Sequence, residues 1–473
     1  MSSDQVQEAD PDALLDANET SQLRQSFRGQ LIRRDDPEYD EARRVWNGMI
    51  DKRPAMIARC SGTADVMAAV NFARDCAVPF SVRGGGHNVA GRAVCDDGLV
   101  IDLSRMRAVH VDPVNRIVQA QGGAILGDID HETQAFGLAV PLGLVTATGV
   151  AGLTLHGGMG WLTRKYGLSL DNLIAAEVVI ADGHLVRTSH AEHPDLFWAL
   201  RGGGGNFGVV TTFEFQAYPV GPEVWFLTTI YPIAQGRKVL KFLHDYMIDA
   251  PEHLGVLATL WNAPQEESIA PEYQGQPVVI LLGCWSGPFE EGEQVLRPLR
   301  EIVKPVADLS GPRRYLDVQR FFDADYPDGM LYYWKSAYLN RLDDEVIDAL
   351  LHHAGARPSP LTSLDLWFLG GAMNRVPVDR TAYARRDARF ALAIESNWTD
   401  PGQSDVNIAW SREVFRDIQR FSRGAYLNFP GFIEDRDKLL REAYGPNLDR
   451  LRDVKAGYDP NNLFEGLLNI PPA

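Results

Sequence analysis

Long apolar segments are missing from this chain of 473 residues. No run approaches the roughly 18 consecutive apolar residues that a membrane-spanning helix needs. The first residues, MSSDQVQEADPDALLDANETS, are acidic and polar, and they lack the basic and apolar regions of a secretory signal. We therefore expect a cytoplasmic protein with no membrane partner.

Positive charge is also scarce. Lys and Arg number 46 against 63 Asp and Glu, which gives a net charge of −17, and no basic run is long enough to form a local positive patch. Such a chain repels nucleic-acid phosphates, so no nucleic-acid partner is expected. The apolar share of 45% and the charged share of 23% are typical of soluble globular proteins, and the length predicts two or three domains.

Several common kinds of site lack their residues. The four cysteines, Cys60, Cys76, Cys95 and Cys284, form no C-x-x-C pair, so neither a disulfide framework nor a metal centre is predicted. No H-E-x-x-H, G-x-S-x-G or G-K-[ST] motif occurs. We therefore do not expect a zinc peptidase with the H-E-x-x-H motif, an α/β-hydrolase with the G-x-S-x-G nucleophile, or a P-loop.

The secondary-structure signals change along the chain. Thr63 is a candidate N-cap for a helix over 64–76, and a strand over 78–82 follows. From there to about residue 218, short β-branched runs alternate with glycine-rich turns and short helices. Beyond residues 219–222, longer apolar strands such as PVVILLGCW alternate with charged helices, which indicates an antiparallel sheet with helices on one face. The predicted fold class is α+β.

Glycine is concentrated in three loops, at 83–88 (RGGGHN), 149–160 and 202–208. Because glycine has no Cβ, backbone N–H groups in such loops can approach a phosphate or a flat ring. Three of them in one region suggest an extended cofactor lying along the backbone. Gly203, Gly205 and Gly208 match G-x-G-x-x-G, but a helical segment precedes them and a strand follows. A Rossmann fold has the reverse order, so that reading is rejected.

Five segments together carry a resemblance to a known family: SVRGGGHN with the VIDLS that follows it, GGMGWLTRKYGLSLDNL, DLFWALRGGGGNFGVVT, AYLNFPG, and YGPNLDRLRDVKAGYDPNNLF. In order and spacing they resemble the vanillyl-alcohol oxidase and p-cresol methylhydroxylase flavoproteins, and above all the berberine-bridge-enzyme-like branch. The resemblance extends from about residue 25 to the C-terminus. It implies an FAD cofactor and a two-lobed FAD-binding domain of the p-cresol methylhydroxylase type, with an inserted antiparallel-sheet substrate domain.

Composition and resemblance together predict four regions. Residues 1–24 are expected to be a disordered acidic leader, being rich in Asp, Glu, Ser and Gln. Residues 25–220 are expected to form the FAD-binding domain and residues 221–429 the substrate-binding domain. Residues 430–473 are expected to return to the FAD-binding domain.

The resemblance also implies how the cofactor is held. In the family, the histidine of the R-x-G-G-H turn bonds to the flavin 8α-methyl group, and here the matching residue is His87. Many relatives add a cysteine bond to flavin C6, but the aligned residue is Val145, so a single covalent bond is expected and Cys95 is assigned no role. His156 either touches the ring or is structural. The further cofactor-binding residues implied are Arg83, Gly84, Gly85, Gly86, Asn88, Gly91, Thr148, Gly149, Gly152, Gly157, Gly158, Gly160, Gly208, Val209 and Val210.

Two places supply candidate catalytic groups. The family's Y-x-N motif, which lies by the flavin ring, corresponds to Tyr426 and Asn428, and on a strand both side chains would share one face. In several plant relatives a glutamate is the base, and its position falls on Ala391. Glu395 shares a face with Ala391 if RFALAIESNW is a regular strand, so it is a substitute candidate, with a solvated edge carboxylate as the alternative.

Four residues are candidates for the substrate pocket. Asp365 and Trp367 share a face of SLDLWFL, and Trp334 and Lys335 lie in LYYWKS. Ordinary core packing is the alternative for the aromatic residues.

The expected function is an FAD-dependent oxidase. It would remove a hydride from a carbon bonded to O or N in a small, aromatic or heterocyclic alcohol or amine, and pass the electrons to O2 to give H2O2. A dehydrogenase with another acceptor, a sugar oxidase and a flavin-binding protein without turnover remain alternatives. The sequence leaves the substrate and the oligomeric state open.

Overall fold

The computed structural model describes residues 17–432 and 435–473 and confirms the α+β class. No helix within these residues is long and apolar enough to cross a membrane. The helices are α1 (Ala17–Ser26), α2 (Tyr39–Ala42), α3 (Thr63–Asp75), α4 (Leu126–Gln134), α5 (Val150–Leu155), α6 (Thr163–Tyr166), α7 (Pro194–Leu200), α8 (Gly236–Asp249), α9 (Gly292–Arg300), α10 (Tyr315–Gln319), α11 (Asp344–Gly355), α12 (Ala372–Arg375), α13 (Ser404–Gln419), α14 (Arg436–Tyr444) and α15 (Leu448–Tyr458).

Strands before residue 220 form three sheets. The strands are β1 (Gln30–Arg33), β2 (Met56–Arg59), β3 (Phe80–Arg83), β4 (Leu99–Asp102), β5 (Val109–Asp112), β6 (Ile117–Gln121), β7 (Leu138–Ala139), β8 (Leu173–Val179), β9 (Leu185–Ser189), β10 (Val209–Gln216) and β11 (Tyr218–Pro219). One sheet has the order β1-β2-β4-β3, with β4 parallel to both of its neighbours. The second, β5-β6-β10-β8-β9, is antiparallel, and β7 pairs with β11.

An eight-stranded sheet follows in the chain. Its strands are β12 (Glu223–Pro232), β13 (Leu254–Asn262), β14 (Pro277–Trp285), β15 (Ala307–Asp308), β16 (Gly311–Arg314), β17 (Leu331–Leu339), β18 (Ser363–Phe368) and β19 (Phe390–Trp398). Their order is β15-β12-β14-β13-β18-β19-β17, with β16 also paired to β12, and every pairing is antiparallel. This is the antiparallel sheet that the apolar runs predicted.

The two faces of this large sheet have different neighbours. Apolar side chains from α8, α9, α11 and α13 pack against one face and form a core with residues such as Leu366 and Leu392. The opposite face packs against the earlier part of the chain, where Leu257, Trp367 and Ala391 join a core with Trp161. Because successive strand residues alternate between faces, this second face also receives Asp365.

Two local predictions need correction. Of the predicted leader, residues 17–24 belong to helix α1, and Leu23 is buried in a core with β2 and α3 residues such as Val66. An apolar residue of the leader thus finds a core site, which the polar composition did not indicate. Residues 1–16 lie outside the described residues. Helix α3 begins at Thr63 itself, and Gly62 occupies the cap position.

The C-terminal helices pack against the first part of the chain, where α15 contacts α7. Lys455 and Asp459 form a fully buried ion pair at 2.5 Å. Both ends of the pair also bind backbone: the ammonium donates to the carbonyl of Asn206, and the carboxylate accepts from the N–H of Phe464. These hydrogen bonds offset the cost of burying two charges and fix the chain over residues 463–464.

Asp130 is a buried carboxyl where α4 meets α10. Its Oδ2 accepts a hydrogen bond of 3.1 Å from Gln319, and its Oδ1 has no partner among the described residues. Burial raises the pKa of Asp130 from 3.8 to about 7. The folded protein therefore keeps this proton up to about pH 7, whereas the unfolded chain releases it near 3.8. The protonated Asp130 therefore contributes its full stabilisation below the unfolded-state pKa of 3.8, and this contribution is lost as the pH rises through the folded-state pKa of about 7.

We expect Asp130→Asn to stabilise the protein at pH 8 by on the order of 2 kcal/mol, and to have a smaller effect near pH 5, because asparagine does not titrate. Thermal unfolding followed by tryptophan fluorescence at both pH values measures this. Glu132→Gln, on the exposed side of the same helix, is the control. An equal effect of Asp130→Asn at both pH values would contradict the assignment.

Candidate functional site

A cavity of about 520 Å³ is lined by residues from the part of the chain before residue 220 and from the part that contains the large sheet. From the first part come loops within 79–95, 143–159 and 205–210, and from the C-terminal end come residues 464–467. The large sheet and the segments beside it contribute Leu257, Phe322, Tyr326, Trp334, Asp365, Trp367, Glu395, Tyr426, Asn428 and Phe429. The glycine-rich loops and the candidate catalytic residues therefore share one space.

Two of the glycine-rich loops touch backbone to backbone. A Cβ on Gly85 would lie 2.4 Å from the backbone nitrogen of Gly149, and a Cβ on Gly149 would lie 2.4 Å from that of Gly85. Neither position can accept a side chain without moving the chain. The contact brings the loop that carries His87 against the N-terminus of α5, and both loops line the cavity.

Arg83 supports this loop from behind. Its guanidinium binds the fully buried carboxylate of Asp102 at 2.6 and 3.1 Å and also donates to the carbonyl of Ala42. Although burial acts in the opposite direction, the pair holds the pKa of Asp102 below its usual value. Arg83 is absent from the cavity lining, so the structure gives it a role in positioning the turn.

His87 lines the cavity as part of an aromatic stack. Its ring lies on Trp46 with centroids 4.3 Å apart, and Trp46 lies on Tyr332 at 3.7 Å. Burial lowers the pKa of His87 to about 4, so the imidazole is neutral at physiological pH. Its Nε2 is buried without a hydrogen-bond partner among the described residues. The ring is thus fixed in orientation and has an unprotonated nitrogen available for bonding.

Tyr426 and Asn428 lie on a turn, and the strand expected there is absent: the N–H of Phe429 donates to the carbonyl of Tyr426. The two side chains nevertheless meet, because the turn brings the Asn428 amide to the Tyr426 hydroxyl at 2.7 Å. The joint site that strand alternation was expected to produce is produced by a turn.

Three N–H groups point at the Tyr426 hydroxyl oxygen. Besides Asn428, the backbone N–H groups of Gly158 and Met159 donate to it at 2.9 and 3.2 Å. A neutral phenol oxygen has two lone pairs, so three donors suit the ionised form better. Burial raises the pKa of Tyr426, and these donors oppose that rise. Gly157 permits the approach, since its φ is +141° and a Cβ there would lie 2.9 Å from the tyrosine ring.

His156 also lines the cavity. Its Nδ1 lies 3.1 Å from the carbonyl oxygen of Gly152, and its buried Nε2 has no partner among the described residues. Burial lowers the pKa of His156, so this ring is neutral too.

Two buried carboxyls line the cavity from the large sheet. Asp365 is opposite Ala393, and Glu395 is opposite Ser363, so the two acids are diagonal neighbours on one face. Burial raises the pKa of both carboxyls. That of Asp365 rises to about 7, with a smaller contribution from the charge of Asp325, and that of Glu395 rises well above its usual range, with a contribution from the charge of Asp365. Glu395 is 5% exposed, so it is not the solvated edge carboxylate considered from sequence.

Lys335 does not reach the cavity. Trp334 lines it, but the neighbouring Lys335 belongs to the other face of β17, where its ammonium lies over the rings of Tyr333 and Phe415 at 5.6 and 5.0 Å. Adjacent strand residues point to opposite faces, so the two could not both line one pocket. Lys335 therefore does not donate to the hydroxyl of Tyr426, whose donors are Asn428, Gly158 and Met159.

Most of the predicted residues line this one cavity. Those that do are Gly84, Gly85, Gly86, His87, Asn88, Val145, Thr148, Gly149, Gly152, His156, Gly208, Val209, Val210, Trp334, Asp365, Trp367, Glu395, Tyr426 and Asn428. Those outside the lining are Arg83, Gly91, Gly157, Gly158, Gly160 and Lys335. Within the described residues, no group of three or more His, Cys, Asp and Glu could hold a metal ion.

Other lining residues were missed from sequence. Lys52 reaches the cavity and donates to the carbonyls of Gly91 and Val94. Tyr326 and Phe322 come from the segment before β17, and residues 464–467 come from the C-terminal end. The sequence signal near that end was the segment YGPNLDRLRDVKAGYDPNNLF, which ends at Phe464.

Comparison with known proteins decides the family. A family model described as FAD binding domain matches residues 54–189, and one described as berberine and berberine like matches residues 425–471. An FAD-linked oxidoreductase of Bacillus subtilis, YgaK, is 33% identical over 94% of this chain and 97% of its own. The chain belongs to the berberine-bridge-enzyme-like FAD-linked oxidoreductases. Its cofactor is FAD, and the resemblance seen in the sequence is confirmed.

Two solved structures share the whole fold of this family member. The 6-hydroxy-D-nicotine oxidase of Arthrobacter nicotinovorans superposes with a TM-score of 0.84 at 31% identity, over 95% of this chain and 99% of that one. The glucooligosaccharide oxidase of Acremonium strictum, whose FAD is described as 6-S-cysteinyl and 8α-N1-histidyl, gives 0.84 at 26% identity, over 96% and 99%.

The residues present fit FAD. The backbone contact of Gly85 with Gly149 leaves the cavity wall free of side chains at this point. The Nε2 atoms of His87 and His156 are buried without a hydrogen-bond partner among the described residues, and they offer polar contacts to a bound group. A flat, polar-edged ring system suits such a wall.

Proposed function

We propose that this FAD-linked oxidoreductase is an oxidase of a small alcohol or amine, with its flavin bonded covalently to His87. The observation that carries the proposal is the shared cavity: His87 and the glycine-rich loops line it together with Tyr426 and two buried carboxyls. A cofactor site and a set of proton-handling groups thus face each other.

His87 is suited to hold the cofactor. Its imidazole is neutral, with the pKa lowered by burial, so a ring nitrogen has a free lone pair for the flavin 8α-methyl carbon. Stacking on Trp46 fixes the plane of the ring. Val145 lines the same cavity and cannot form a thioether, so we propose one covalent bond.

Tyr426 is the proposed catalytic residue. Its hydroxyl oxygen can hold or accept a proton, because three N–H donors stabilise the ionised form. Asn428 positions that oxygen and adds one of the donors. Glu395 is the second candidate base, although burial and the neighbouring Asp365 raise its pKa and so favour its protonated form.

The proposed reaction removes two hydrogens from the substrate. The carbon bonded to O or N loses a hydride, the heteroatom loses a proton to the protein, and a carbonyl or imine results. FAD, held by His87 and the glycine-rich loops, would supply the hydride acceptor, and O2 would take the two electrons with two protons to give H2O2. Aromatic residues in the lining, Trp334 and Trp367 among them, favour a substrate with a small ring.

Reoxidation by air tests the oxidase proposal. After photoreduction without oxygen, we expect the flavin to return to its oxidised spectrum within seconds of mixing with aerated buffer, with one equivalent of H2O2. Stopped-flow absorbance and a peroxidase-coupled assay measure both. Leu144 also lines the cavity beside Val145 and favours the alternative of a dehydrogenase, since it can crowd the oxygen side of the ring. Slow reoxidation by air with fast reoxidation by a quinone would establish the dehydrogenase.

A further inference from the structure

Asp365 and Glu395 both present their carboxyl groups to the cavity. Neither forms an ion pair among the described residues, and each side chain is 5% exposed. The hydroxyl of Tyr326 donates to Glu395 at 2.6 Å, whereas Oδ1 of Asp365 is buried and has no hydrogen-bond partner within the described part of the chain. A buried acceptor in a cavity wall is costly unless a bound molecule completes it.

Other charged groups face this pair, but none satisfies it. The charge of Arg357 lowers the pKa of Asp365, but its guanidinium donates hydrogen bonds to Asn262 and to the backbone carbonyl of Thr362. Asp325 also faces the pair, and partial burial raises the pKa of its own carboxyl to about 6. The surroundings are therefore short of positive charge.

We propose that Asp365 and Glu395 form the specificity site for a basic nitrogen, so that the substrate is an amine bound as its ammonium ion. The inference rests on the proposed function and narrows its substrate class. One carboxyl ionises and pairs with the ammonium, while the other keeps its proton, because two adjacent carboxylates repel each other. The ammonium N–H groups donate hydrogen bonds to Oδ1 of Asp365.

The rest of the wall suits such a substrate. Trp334 and Trp367 line the cavity near the pair, and aromatic faces attract cations as well as ring systems. A neutral alcohol can hydrogen-bond to the same oxygens but gains no charge attraction. A carboxylate substrate meets like charge and is excluded.

Binding to the FAD-loaded protein tests the inference with three probes of one shape: benzylamine, benzyl alcohol and benzoate. Each is titrated without oxygen at pH 7.5, and the shift of the flavin absorbance gives Kd. We expect benzylamine to bind about tenfold more tightly than benzyl alcohol, since a hydrogen bond to an ionised group is the stronger one. Benzoate should give no saturable change.

The double variant Asp365→Asn, Glu395→Gln should reduce the tenfold ratio to about one while keeping the flavin absorbance. Asp130→Asn, which alters an equally buried carboxyl outside the cavity, should leave the ratio unchanged. Equal binding of amine and alcohol by the wild type, or the full preference in the double variant, would overturn the inference.

A pH titration of the wild type gives a second measure that does not depend on the folding of a variant. The raised pKa values mean that the pair is neutral at low pH and gains charge as the pH rises through about 7. Affinity for benzylamine, which stays an ammonium ion over this range, should therefore increase from pH 5.5 to 8. A flat profile overturns the inference.

Failure of the proposed function would look different. In that case no compound would reduce the flavin anaerobically and air would not reoxidise the photoreduced flavin, whatever the charge preference in binding.

Discussion

Replacing His87 with alanine should move all of the flavin from the acid-precipitated polypeptide into the supernatant, whereas the wild-type precipitate should stay yellow. His87 lines the cavity with a neutral ring held against Trp46, whereas an alanine side chain has no nucleophilic atom that could bond to the flavin 8α carbon. Absorbance of precipitate and supernatant near the flavin maximum measures the change, which is expected to be complete.

His156→Ala is the matched control, because His156 is the second histidine of the lining. This variant should keep the flavin on the polypeptide. A tryptic digest of the wild type should contain one flavopeptide, that of His87. Cys95 lines the same cavity, although burial raises the pKa of its thiol and disfavours the thiolate. Flavin recovered on a Cys95 peptide would refute the assignment to His87.

Tyr426→Phe should slow anaerobic flavin reduction by about 10²–10⁴-fold on any confirmed substrate, with the flavin spectrum unchanged. Phenylalanine keeps the ring that packs near Tyr338 and Phe429 and removes only the hydroxyl, so the buried core should survive. The donors of Gly158 and Met159 would lose their acceptor. Stopped-flow reduction under saturating substrate measures the rate constant directly.

Tyr444→Phe serves as the control, because it removes another buried tyrosine hydroxyl on α14 that does not line the cavity. It should change the reduction rate by less than about twofold. If Tyr426→Phe reduces its flavin as fast as the wild type, the proton goes elsewhere, and Glu395→Gln becomes the variant to measure.

Much of the site could be predicted because its parts are local in the chain. The RGGGHN turn carries His87 with its own glycines, and strand alternation placed Asp365 and Trp367 on one face correctly. Applied to the neighbours Trp334 and Lys335, the same alternation shows that only one of them can line the pocket, so Lys335 could have been excluded from it. Burial of Glu395 was not predictable, because a carboxylate on an apolar strand gives no sign of what covers the strand.

Contacts between distant segments left no local pattern. Trp46 stacks on His87, and the C-terminal residues 464–467 line the same cavity, but neither position has a periodicity or motif that points to the other. Their meeting depends on how the sheets pack. The turn at Tyr426 was missed for a related reason, since its geometry comes from backbone hydrogen bonds.

The joint lining by residues 84–88 and 464–467 sets an order of events during biosynthesis. While the chain is being made, the segment around His87 emerges early, but the wall that Phe464 and its neighbours supply does not yet exist. The ion pair of Lys455 and Asp459, which holds that wall, also forms late. We therefore expect cofactor capture to follow translation of the C-terminal segment, so a nascent chain stalled before residue 455 should carry no flavin.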